Sequence, residues 1–145
     1  MSKSKDVSKL TAFEVVKSNP EIYWGTKYPT YEDVDKLILY QLEKEGCKNI
    51  CIDKRMEWHI VSSDTCWFLP LRKSVTDLFQ NAVGFPGGGG NGLRFEFFLN
   101  IIAAEICVFK ENTLLTIKGV VDPGFLSIAH ETYKDKTFVA YKLHG

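Results

Sequence analysis

The stretch Leu93–Ala104, LRFEFFLNIIAA, is apolar on nearly every side. A helix without a polar face has to be enclosed by other layers, so this segment reads as a central buried helix around which the rest of the chain is arranged. The two runs that follow, EICVFKE and LLTIKGVV, alternate in the manner of paired strands across Asn112-Thr113. DPG then reads as a turn, and TFVAYKLH as a last strand.

Upstream, LTAFEVVKSNP predicts a short helix that Asn19-Pro20 ends, and EIYWGTKYP an aromatic-rich turn or extended segment. TYEDVDKLILYQLEKEG is the clearest helix. Thr30 and Asp33 suit its N-terminus, Val34, Leu37, Ile38 and Leu42 its buried face, and Gly46 its end. KNICID and EWHIVSSD predict a hairpin turning through KRM, and SVTDLFQNAV a second amphipathic helix. Clustered, mostly antiparallel strands with helices over one face make the expected class α+β, a two-layer sandwich.

The chain's 145 residues suit one domain spanning 1–145, with residues 1–9 as an N-terminal arm. Eighteen basic residues balance eighteen acidic ones, which leaves no electrostatic case for nucleic acid or an anionic membrane as the main partner. No stretch approaches the ~20 apolar residues of a membrane span. Cys47, Cys51, Cys66 and Cys107 form no C-x-x-C pair, so a metal site with His59, His130 or His144 is disfavoured. Reduced thiols in a cytoplasmic protein are expected instead. Cys66 and His59 could serve as nucleophile and base, but seven residues along one regular strand would point them to opposite faces, and no third orienting residue is evident.

GFPGGGGNGLRF, between the second amphipathic helix and the buried one, has two readings. Glycines let another group approach the backbone, and a helix N-terminus beyond them offers N–H groups to a phosphate. The same run can also be only a flexible connection.

Several segments, in order, resemble the ATPase domain of the DNA gyrase B subunit and its type II topoisomerase relatives. FEVVKSNPEIYWGT, with Pro20, Tyr23 and Gly25, is similar to that domain's opening. CKNICIDKRMEWHIVSSD resembles its first hairpin, GGGGNGLRF its glycine lid, and AAEICVFKEN the strand that follows. The resemblance covers roughly residues 9–118 and implies the GHKL fold, a two-layer sandwich with a mixed, mostly antiparallel sheet covered on one face by helices.

In that family an early helix supplies a glutamate that activates water and an asparagine that holds magnesium. Here the asparagine position falls at Leu37, or at Gln41 under a shifted register, and Glu32 or Asp33 stands nearest the glutamate; leucine cannot bind a hard cation. Where the family has Asp-x-Gly-x-Gly against adenine, this chain reads SSDTCWFLP: Asp64 can stand in for the aspartate, but Trp67 and Phe68 would fill the adenine space. Ser63 or Asp64 is the expected partner for the Trp67 indole N–H. The length also leaves no room for the family's following domain, which supplies a lysine to the γ-phosphate.

The resemblance therefore implies a pseudo-ATPase: a non-catalytic interaction or regulatory module without a cofactor, acting on a protein partner or as a homodimer. Tyr23, Trp24, Tyr28 and Tyr31 form an aromatic cluster suited to that interface. The alternative is a sensor or slow ATPase binding ATP with magnesium through Asp64, Gly88, Gly90 and Gly92.

Overall fold

The structure, a computed structural model, describes residues 29–68, 74–81 and 94–144. Helix α1 (Tyr31–Lys44) starts where Thr30 and Asp33 close a capping box: Thr30 Oγ1 accepts the Asp33 N–H at 3.2 Å, and Asp33 Oδ2 accepts the Thr30 N–H at 2.9 Å. It ends at Gly46, whose φ of 77° is open to glycine at little cost. There the Cys47 N–H reaches back to Leu42 O and the Gly46 N–H to Glu43 O, satisfying carbonyls the last turn would leave orphaned. Val34, Ile38, Gln41 and Leu42 form the buried stripe; Leu37, expected among them, is only half buried.

A hairpin of β1 (Cys51–Arg55) and β2 (Trp58–Ser63) follows. Its loop is Met56-Glu57, one residue beyond the expected KRM turn, and both residues take left-handed φ values of 50° and 70°. That shift places Lys54 inside the strand, directly opposite His59. Two helices come next, α2 (Val75–Gln80), capped by Ser74, and α3 (Phe95–Ile102), which passes directly into β3 (Ala103–Lys110). As its composition demands, α3 is enclosed: only Asn100 and Ile102 escape full burial. Strands β3 and β4 (Thr113–Lys118) pair across Glu111-Asn112, again with both φ values positive.

Two expectations are corrected here. DPG is a helix start rather than a turn. Asp122 Oδ1 accepts the Gly124 N–H at 2.6 Å, Pro123 occupies the first helical position, and α4 (Pro123–Thr132) runs from there. The sheet, closed by β5 (Thr137–Leu143), has the order β1-β2-β5-β3-β4, and every pairing among the described residues is antiparallel rather than mixed.

Helices lie on both faces of that sheet, not on one. Val61, Ile106, Val108, Val139 and Tyr141 pack with residues of α1, α2 and α3. Their strand neighbours Ile60, Cys107, Phe109, Phe138 and Ala140 point the other way, onto Phe125 and Ala129 of α4. The α+β class stands, with α1, α2 and α3 on one side and α4 on the other among the described residues. The expected helix before Pro20 lies outside the described residues.

Candidate functional site

Gln41, where the shifted register puts the magnesium asparagine, is engaged within the protein. It is buried, and its Oε1 accepts the Phe95 N–H at 2.7 Å, while its Nε2 faces Glu96 Oε1 at 3.4 Å. Arg94, the N-cap residue of α3, makes no side-chain cap of its own. Its guanidinium instead grips the Glu96 carboxylate through Nε at 3.1 Å and Nη2 at 2.8 Å, with both residues buried. Arg94 Nη1 also lies 3.3 Å from Glu45 Oε1, close enough to attract it but not aligned as a hydrogen bond. Burial raises the Glu45 carboxyl above its ordinary range, against the pull of Arg94 and with the push of Glu96. The start of α3 thus already holds a carboxylate, that of Glu96, and a cap supplied by Gln41 of α1.

The other positions suggested by the resemblance that fall among the described residues are also engaged. Asp33 belongs to the capping box, and Leu37 packs against hydrophobic neighbours. Asp64, beyond the end of β2, accepts from Asn49 Nδ2 at 2.6 Å and lies 3.6 Å from Lys136 Nζ. Trp67 and Phe68 are buried in the core beside α1–α3, as expected. The expected indole partners are not the ones found: Ser63 Oγ donates to Lys48 O and accepts from the Thr65 N–H, and Trp67 Nε1 meets no partner among the described residues. Gly88, Gly90, Gly92, Tyr23, Trp24 and Tyr28 lie outside the described residues.

Tyr31 is described, and it packs into its own domain. Its ring stacks 5.5 Å from Tyr141 and tilts 4.8 Å from His59, and its hydroxyl accepts the Leu143 N–H at 2.9 Å. Beneath it Asp35 clamps two groups of the sheet: His59 Nε2 at 2.6 Å and the Tyr141 hydroxyl at 2.8 Å. Burial first, and the Asp35 charge second, push the Tyr141 hydroxyl far above its usual range. Asp35 is the orienting partner of His59 that the sequence did not reveal. Cys66 sits beyond β2, at the margin of the core beside α1–α3.

An open cleft of about 430 Å³ lies over this cluster, lined by Tyr31, Lys54, Glu57, His59, Lys142 and Leu143. Lys54 and Tyr141 flank His59 across the sheet in register. Lys142 is held 4.7 Å above the Trp58 ring and 3.5 Å from Glu105 Oε2. Among the described residues no group of three or more His, Cys, Asp or Glu side chains is placed to hold a metal ion.

Comparison of the chain with protein-family models, with curated proteins and with solved structures gives no match.

Proposed function

We propose that this protein is a non-catalytic interaction or regulatory module, a cytoplasmic pseudo-ATPase of GHKL type that works through a protein partner or a second copy of itself. The observation that carries the reading is the first turn of α3, where Gln41 takes the Phe95 N–H and the buried Glu96 carboxylate sits in its Arg94 clamp. A phosphate brought to that helix start would have to compete with a carboxamide cap and approach a buried anion. Burial of Trp67 and Phe68, where the resemblance puts adenine, supports the same conclusion from the base side.

The interaction surface is the aromatic cluster of Tyr23, Trp24 and Tyr28 with the exposed part of Tyr31. Sedimentation and pull-down of the wild-type chain and a Tyr23→Ala, Trp24→Ala variant test it. Loss of the dimer or of the captured partner from a folded variant is the expected result. Unchanged mass and partners would remove the cluster from the account. An assay of ATP hydrolysis on the same wild-type sample should read background.

A further inference from the structure

The two arms of the β1–β2 hairpin stay together beyond the end of their ladder. The register that sets Cys51 opposite Ser62, carried four residues outward on each arm, brings Cys47 opposite Cys66. Asn49, with a φ of 55°, interrupts the regular ladder on the way, but hydrogen bonds rejoin the arms beyond it. Lys48 O accepts the Asp64 N–H at 3.0 Å and the Ser63 hydroxyl at 2.6 Å, and the Lys48 N–H donates to Thr65 Oγ1 at 3.0 Å. Asn49 Nδ2 donates to Asp64 Oδ2 at 2.6 Å. Cys47 immediately precedes this joined patch on one arm, and Cys66 immediately follows it on the other. Cα atoms facing each other across antiparallel strands stand about 4.5–5.5 Å apart, inside the span that a disulfide bridges.

We propose that Cys47 and Cys66 are a redox-active pair that closes to a disulfide when hydrogen peroxide reaches the folded chain.

The surroundings of the two thiols suit that role. Both are free, and both lie at the margin of the core beside α1–α3, partly open to solvent. Cys107, by contrast, is fully buried within the sheet. Burial first, then the Glu45 charge, push the Cys47 thiol up to about 11; Ser63 and Arg94 oppose that rise, and Cys66 lies near enough to add to it. Cys47 is thus held as the thiol, which leaves Cys66 to meet the oxidant.

The Cys66 sulfur attacks the peroxide and keeps one oxygen as a sulfenic acid, while the O–O bond breaks and water leaves. The Cys47 sulfur then attacks the sulfenic sulfur. The S–S bond forms, and the Cys47 proton departs with the sulfenic hydroxyl as a second water. Each thiol gives up one electron, and the peroxide takes both. The bridge ties the turn after α1 to the segment carrying Trp67 and Phe68, next in sequence to Cys66. A reversible disulfide of this kind, formed where thiols are otherwise kept reduced, acts as a sensor.

The test treats the full chain with hydrogen peroxide, blocks the remaining thiols with N-ethylmaleimide and maps disulfide-linked peptides without reduction. The expected result is an intramolecular Cys47–Cys66 link, formed in at least about tenfold the yield of any other pairing and reversed by dithiothreitol. Cys47→Ser should lose the link and leave a sulfenic acid at Cys66 that dimedone traps. Absence of the Cys47–Cys66 link from the wild-type chain overturns the proposal. So does a dominant link to Cys51 or Cys107, a dominant link between two molecules, or an equal yield of the Cys47–Cys66 link in the urea-unfolded chain.

Discussion

Gln41 and Phe95, fifty-four positions apart, meet across the α1–α3 interface: the carboxamide oxygen of one accepts the backbone N–H of the other at 2.7 Å. A helix leaves its first N–H groups without intrahelical partners, and the usual remedy is a side chain just before it. Here Arg94 is committed to Glu96, so the cap comes from another helix. The contact joins secondary structure and packing, and in the proposed reading it also bears on function, since it already satisfies the helix start that a phosphate would need.

Gln41→Leu should therefore cost more than its size suggests. It fills similar volume but leaves the buried Phe95 N–H unpaired and takes one of its donors from Glu96, a loss of about 1–3 kcal/mol. Urea unfolding should show a lower midpoint with an unchanged slope. An unchanged midpoint would mean that the cap contributes nothing.

The raised Glu45 carboxyl makes a signed pH prediction. Because the folded state holds this proton more tightly than the unfolded state, the group favours folding in acid, and that contribution is lost as pH rises through the folded-state value. Glu45→Gln should be the more stable protein at neutral pH, with the difference closing in acid below the ordinary carboxylate range. Denaturant midpoints measured across that interval check the sign.

Thiol labelling should separate the cysteines. Cys51 is exposed on β1, whereas burial pushes the Cys47 thiol up to about 11 and the Cys107 thiol up to about 12. Mass spectrometry after brief iodoacetamide treatment of the folded protein should find Cys51 modified before either of these, since the thiolate is the reacting form. Early modification of Cys107 would contradict its place beneath α4.

The Met56-Glu57 loop places two side-chain-bearing residues in the left-handed region. Replacing them with Asn-Gly, which suits a two-residue hairpin loop, should stabilise the fold by roughly 1 kcal/mol. Thermal unfolding reads the gain.

How far the sequence reveals this molecule depends on the range of each signal. Thr30, Asp33 and Gly46 mark α1 because capping is local, and the largely apolar run of α3 announces its burial. Helix α4 escapes because its exposed face interrupts the pattern: Phe125 and Ala129 are its only fully buried residues, and Asp-Pro-Gly serves turns as well as helix starts. The hairpin loop is missed by one residue because Met-Glu carries no turn chemistry, and that single step moves Lys54 into the strand opposite His59. Asp35 reads as one more solvent-facing charge until the fold sets it against His59, twenty-four positions on. The cleft is assembled from contacts of this long-range kind, so its pattern is not written in any one stretch.

The central claim, that the nucleotide chemistry of the resembled family is absent, is tested most directly by thermal unfolding of the purified chain with and without a millimolar non-hydrolysable ATP analogue and magnesium. A ligand at a hundred times its dissociation constant stabilises the folded state by about 2.7 kcal/mol, a shift of several degrees for a chain of this size. The account predicts no magnesium-dependent shift. A shift of several degrees that needs both nucleotide and magnesium would contradict it and restore the sensor reading built on Asp64, Gly88, Gly90 and Gly92.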